Sequence, residues 1–255
     1  MSPPRLRPVY ALLLLGCTSF APADPGSPKC SEFPCPEKLS YRVEWRLITA
    51  GEVTVQLSRA NVDDWDLNMN VQSAGLVTRL YKVLDKYNVV ANSNFCGVNS
   101  NLDAEEGKRH KTSLMKFEAQ QHKVEYEERD LLKNTVEKKA LDVPPCTYEI
   151  AGALASLRAR DMQPGKWITI PITDGKKLAY GKIQAQARES VSAGGKSYQT
   201  IRCEAFLFDN VLYRRKGRLF LWLTDDPAHI PVQLRFQLGF PVGTVTVELE
   251  KRQTL

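Results

Sequence analysis

Leu39-Ser40-Tyr41-Arg42-Val43-Glu44-Trp45-Arg46-Leu47 decides the class of this chain. Leu39, Tyr41, Val43, Trp45 and Leu47 are apolar and the residues between them are polar, a period of two that puts each set on its own face of a strand. One face packs and the other stays wet. Ala50-Gly51 then supplies turn residues, and Val53, Val55 and Leu57 resume the alternation, so 39–57 reads as a β-hairpin.

The same rhythm runs outward from that hairpin. It returns at Trp65, Leu67, Met69 and Val71, and strands are expected near 87–95, 113–118, 123–128, 134–140 and 166–173. A short strand follows at 178–182, then 197–207, 218–224, 230–238 and 243–249, with Ile230, Val232, Leu234, Phe236 and Leu238 alternating without a break. Two stretches break the pattern. Leu76, Leu80, Val83 and Leu84 in 75–86, and Ile150, Leu154 and Leu157 in 147–160 behind a Thr147 cap, have helical spacing. Many strands with short turns argue an antiparallel meander rather than alternating β and α units. The expectation is a mostly β fold: a strongly curved antiparallel sheet or incomplete barrel with two short helices partly covering its concave apolar side, in one domain over 38–255.

The N-terminus reads as an export signal, with Arg5 and Arg7 before the apolar run Val9 to Leu15, which is far too short to span a bilayer. Two cleavage sites compete. Leu14-Leu15-Gly16-Cys17 resembles a bacterial lipobox, which would leave 1–16 as the signal peptide and Cys17 as a lipidated membrane tether; Ala21-Pro22-Ala23 would make it 1–23. The position of Cys17 directly after a small residue favours the lipobox. Prolines at 22, 25, 28, 34 and 36 make 18–37 an extended linker. The expected location is the periplasm or the periplasmic face of the outer membrane, where disulfides persist. Of the five cysteines after Cys17, Cys30 and Cys35 are close enough for a local disulfide. No CxxC pair occurs, so no metal site is expected. Removing Arg5 and Arg7 from the 35 Lys and Arg leaves 33 against 29 acidic residues, too small a surplus to imply nucleic acid.

Leu219 to Val232 is the most distinctive stretch, because Asp225, Asp226 and His229 could ligate a metal or act as acid and base. Asp-Asp-Pro also explains itself as a turn, with the aspartate bonding its own backbone and Pro227 fixing φ. No Gly-x-Ser-x-Gly elbow, phosphate loop, His-Glu-x-x-His or calcium loop is present, and no cofactor is expected. Arg214, Arg215, Lys216 and Arg218 could meet phospholipid headgroups or form a solvated loop. Trp45, Trp65 and Trp222 could line an acyl-chain cavity or serve as core.

Four stretches in order resemble the family known as domain of unknown function 3108, recurrent among exported bacterial proteins. They are Leu39 to Trp45 with Ala50-Gly51; Ala155-Ser156-Leu157-Arg158 with Pro164-Gly165; Gly194-Gly195 before Tyr198; and Trp222 to Asp226 through Ile230-Pro231-Val232 to Gly243. The resemblance implies no activity, ligand or catalytic residue. In shape, the expected fold is similar to the open-barrel lipoprotein carriers, in which a curved sheet holds acyl chains. That likeness points to a non-enzymatic envelope protein that binds a lipid or other apolar ligand. The alternatives are a structural or assembly factor acting through an envelope protein partner and, more weakly, a hydrolase or metalloprotein using Asp225, Asp226 and His229.

Overall fold

Fourteen strands, joined side by side into one sheet, make up most of residues 32–255, the part of the chain that the computed structural model describes. Along the chain they are β1 (Glu37–Trp45), β2 (Ile48–Arg59), β3 (Asp64–Ser73), β4 (Val83–Asn92), β5 (Gly97–Glu106), β6 (Arg109–Glu118), β7 (Lys123–Asp130) and β8 (Thr135–Asp142). The second series is β9 (Trp167–Thr173), β10 (Leu178–Ala193), β11 (Lys196–Phe206), β12 (Gly217–Thr224), β13 (Pro231–Leu238) and β14 (Thr244–Thr254). Helix α1 (Gly75–Leu80) lies between β3 and β4, and α2 (Ile150–Arg158) between β8 and β9.

The sheet consists of two antiparallel meanders, β1 to β8 and β9 to β14, joined where β1 pairs with β14 from Glu37↔Thr254 to Trp45↔Val245. That leaves β8 and β9 as its edges, so the sheet is not closed by backbone pairing. Other contacts span the seam. Lys176, in the β9–β10 turn, reaches Glu128 of β7 at 3.0 Å and Glu137 of β8 at 3.4 Å, and Lys139 of β8 donates to the Lys176 carbonyl. Farther along, Tyr148 forms a parallel bridge with Ile172 of β9, through hydrogen bonds of 3.0 and 2.9 Å. Side chains and one short segment thus guard edges that would otherwise invite pairing.

A meander puts alternate connections at opposite ends of the roll. One end, here called the mouth, carries the β1–β2, β3–β4, β5–β6, β7–β8, β9–β10, β11–β12 and β13–β14 connections. The other end receives α2 and is here called the plugged end. Ala153, Ala155 and Leu157 of α2 join Trp65, Phe95, Val89, Ile172, Ile201 and Leu223 in the main core. Gly152 lets the helix settle there, since a Cβ would stand 2.7 Å from the Phe95 carbonyl oxygen. The Cys96–Cys146 disulfide ties the β4–β5 turn to the segment entering α2.

The mostly β, incomplete-barrel expectation holds, with four local corrections. The first hairpin turns at Arg46 and Leu47, both at positive φ, and Trp45 faces Ile48 in register. Gly51 instead lies inside β2, where a Cβ would stand 2.3 Å from the Gln72 carbonyl oxygen, so the glycine permits close strand approach. The first helix ends at Leu80 and buries no residue, because Val83 and Leu84 are drawn into β4; the concave side is covered instead by α2, by Leu207 and Leu212 of the β11–β12 loop, and by Ala193 at the tip of the β10–β11 hairpin. Glu149, not Thr147, caps α2, while Thr147 donates to the Pro144 carbonyl. Strand β5, with Asn99, Asn101, Asp103, Glu105 and Glu106, is too polar to show the alternation expected of a strand and is built by pairing with β4 and β6.

Candidate functional site: the mouth of the half-barrel

On β1, β3, β13 and β14 inward-facing side chains lose burial toward the mouth, whereas Ile172 of β9, Ala179 of β10 and Leu219 of β12 stay buried to that end. On β1, Leu39 and Tyr41 are buried, 2% and 4% exposed, whereas Val43 and Trp45 are half-buried. On β13 Val232 is buried and Leu234, Phe236 and Leu238 are half-buried; on β14 Leu249 is buried and Val247 and Val245 are half-buried. Strand β3 runs the same way, from Trp65 and Leu67 to Met69 and Val71. These residues share one face, because the registers place Val43 opposite Val247, Val247 opposite Leu234, and Val245 opposite Phe236. On these four strands the concave wall is therefore packed at the plugged end and apolar but half-covered toward the mouth.

Across the mouth, on β4 to β8, the inner wall turns polar. Asp85, Lys111, Glu128 and Glu137 occupy inward positions there, with Ala104 between the first two. Burial opposes charge on Glu128, but hydrogen bonds from Lys111, from Tyr126 at 2.8 Å and from Lys176 prevail and hold its carboxyl at about 2. Asp85 goes the other way. Burial, then the neighbouring Glu106 and Asp103, push it up to about 6, and its Oδ1 has no hydrogen-bond partner. Tyr213, in the β11–β12 loop above Tyr87, is pushed up to about 12 by burial, with Asp174 and Glu149 adding to the effect.

The plugged end, in contrast, is dense with buried bonds and ion pairs. Arg158 of α2 donates to the His229 carbonyl at 3.0 Å and the Ala228 carbonyl at 3.1 Å, lies 2.6 Å from Glu37 and stacks over Phe33. Glu37, 1% exposed, also accepts from Arg252 at 2.7 Å. Glu149 is wholly buried and accepts from the Ala151 and Gly152 amides and from the Tyr87 hydroxyl; burial nevertheless raises its pKa. A shallow cleft of about 450 Å³ lies outside this end, lined by Asn92, Asn94, the Cys96–Cys146 bridge, Tyr148 and Arg160.

The expected site residues do not converge. Trp65 is core, stacked on Phe95. Trp222 is buried on the opposite face, alternating with Leu221 and Leu223 and donating to Glu189. Trp45 alone stands in the mouth wall, where its indole donates to the Val242 carbonyl at 2.7 Å. Asp225 is spent on Arg188 at 2.7 Å, and Asp226 accepts from Thr224 and the Ala228 amide. His229 Nδ1 lies 2.7 Å from the Arg158 carbonyl oxygen. The motif thus forms a self-bonded turn docked on α2, and no group of potential metal ligands occurs among the described residues. Cys35 is disulfide-bonded, while Cys30, its expected partner, and Cys17 lie outside the described residues. Cys203 is a free thiol in the core, pushed up to about 12 by burial. Sequence reading missed the mouth wall itself: alternation marks which residues face inward, but not where along a strand the cover stops.

Among the described residues no helix is long and apolar enough to cross a membrane. Outward positions such as Arg42, Glu44, Thr54, Gln56, Asp66 and Asn68 are polar, unlike the apolar outer band of a membrane barrel.

The family model described as Protein of unknown function (DUF3108) matches residues 40–250. Comparison with curated proteins gives no match. Among solved structures, a β-barrel-like protein of the domain of unknown function DUF1849 from Brucella abortus is similar, with a TM-score of 0.56 at 10% identity, covering 87% of this chain and 98% of that one. A candidate exported protein with a YmcC-like fold from Bacteroides fragilis covers 88% of this chain and 98% of its own at 8% identity, with a TM-score of 0.34. A candidate lipoprotein from Parabacteroides distasonis covers 87% and 97% at 7% identity, with a TM-score of 0.32.

Proposed function

This chain belongs to the family Protein of unknown function (DUF3108), and from that premise we propose that it is an exported envelope protein that takes an acyl chain or similar apolar ligand into the mouth of its half-barrel. The observation that carries this reading is the burial gradient: Val43, Val245, Val247, Leu234 and Phe236 form one inward apolar wall that nothing in the fold covers completely. Burying apolar surface gains about 25 cal/mol per Å². A bound chain would complete this wall much as α2 completes the other end.

The polar wall opposite gives a ligand polarity. An acyl tail suits β1, β13 and β14, and a headgroup would meet Lys111, Lys176 and Asp85 on the facing strands. Export rests on the signal pattern before Cys17. Because β1 enters at the plugged end, a lipidated Cys17 would tether the protein by the end opposite the mouth.

A fluorescent fatty acid titrated into the purified chain tests the reading. Wild type should enhance its emission saturably, and Phe236→Glu should weaken binding at least tenfold while circular dichroism stays unchanged. No uptake by wild type would overturn the proposal and favour an assembly factor that works through a protein partner.

A further inference from the structure

The two most exposed large apolar side chains among the described residues, Leu47 and Phe240, both stand at the mouth, 97% and 96% exposed. They sit on turns bound to each other: Trp45 bonds the Val242 carbonyl, and Arg46 donates to the Pro241 carbonyl at 2.5 Å. Leu47 also adopts a φ of 67°, a left-handed conformation uncommon for leucine, with no packing contact to compensate. In the sheet order, α1 with Leu76 and Leu80 exposed lies on one side of this pair, and the β11–β12 loop with Arg214, Arg215 and Lys216 on the other. Eight of the sixteen exposed large apolar side chains belong to mouth loops, whereas Val62 is the one in the loops of the plugged end.

Charge is divided the same way. The mouth connections carry ten Lys or Arg against Asp174 and Asp209, while those at the plugged end carry three against five acidic residues. Arg79, Lys108, Arg214, Arg215 and Lys216 have no ion-pair partner among the described residues. A polyanion such as nucleic acid would not call for protruding leucine and phenylalanine, and an apolar protein partner would not call for five unpaired cations. An anionic bilayer calls for both, since cations near its surface gain about 1 kcal/mol each and apolar tips enter the acyl boundary. Trp45 and Tyr81 sit at the same level, where interfacial aromatics collect.

We propose that the mouth rim docks on a bilayer surface rich in anionic phospholipid, with Leu47 and Phe240 inserted and Arg214, Arg215 and Lys216 on the headgroups. Its role rests on the reading of the mouth as a ligand entrance: docking would let a lipid pass from bilayer to wall without crossing water.

The test is sedimentation with vesicles of phosphatidylcholine alone or of equal parts phosphatidylcholine and phosphatidylglycerol. Every sample carries Cys17→Ser, so that no acyl group at that position contributes. The chain should sediment with the anionic vesicles at about 0.1 M salt and be released at about 1 M, where the Debye length falls to about 3 Å. Replacing Arg214, Arg215 and Lys216 together by Gln should lower partitioning about 100-fold. Leu47→Ser with Phe240→Ser should lower it at least about tenfold. Val62→Ser, at the other end, should change nothing. Failure to sediment, equal binding to phosphatidylcholine alone, insensitivity to the rim substitutions, or a dimer that those substitutions dissolve would overturn the docking. A chain that sediments but leaves the fatty-acid probe free overturns the ligand reading instead, and the reverse result overturns docking alone.

Discussion

The two ends of this half-barrel are built from the same strands with the same alternation, yet they differ in what completes them. At the plugged end α2 packs into the roll, Arg158 holds two carbonyls and Glu37, Glu37 also meets Arg252, and Glu149 accepts two amides and a tyrosine hydroxyl. At the mouth the inward wall stops half-covered, Asp85 keeps an unpaired oxygen, and leucine and phenylalanine point into water. Bonding and exposure are thus divided along the barrel axis: one end is held by buried charge pairs, and the other leaves large apolar side chains in water.

The largest test of that division is Arg158→Ala. It leaves Glu37 buried with less compensation and releases two carbonyls, so a loss of about 3–5 kcal/mol in urea unfolding is expected. Arg46→Ala at the mouth should stay within about 0.5 kcal/mol. Next comes the Cys96–Cys146 bridge, whose cysteines are 50 residues apart; paired serine substitutions should cost about 2–4 kcal/mol and loosen the seat of α2.

A smaller effect of opposite sign is expected at Asp85. Its folded pKa of about 6 lies above the ordinary 3.8, so the fold disfavours the charged form, and the penalty is absent below about pH 4, grows to about pH 6 and is full above. Asp85→Asn should therefore stabilise by on the order of 1 kcal/mol at pH 8, after allowance for partial solvent screening, and by nothing at pH 4. Smallest of all is Leu47→Ser, which should leave thermal unfolding unchanged because the side chain buries almost nothing. A large loss there would mean that the mouth is part of the folding core and would erase the comparison.

Much of the fold was legible because alternation is a local signal: β1, β3, β13 and β14 announce themselves through residues such as Tyr41, Leu67, Val232 and Leu249. Strand β5 did not, since its pairing is supplied by neighbours rather than by its own side chains. The Asp225-Asp226-Pro227 turn was readable as a turn, but its docking on Arg158, 67 residues from Asp225 in sequence, was not. The mouth was the least legible part. Trp45, Trp65 and Trp222 read alike in the sequence, as cavity lining or as core, yet Trp65 lies in the core, Trp222 on the opposite face and Trp45 in the mouth wall. What separates Val43 from Leu39 is tertiary cover: Leu39 lies within the cluster with Ala193, Ala228 and Ile230, and Val43 at its margin.

The most direct test of the central claim is photolabelling with a diazirine fatty acid followed by peptide mapping of the attached mass. The account predicts labels on β1, β13 and β14 toward the mouth, at Val43, Phe236, Leu238 and Val247, with competition by unlabelled fatty acid. Labels confined to the cleft beside Cys96–Cys146, or spread without competition over the outer face, would contradict it.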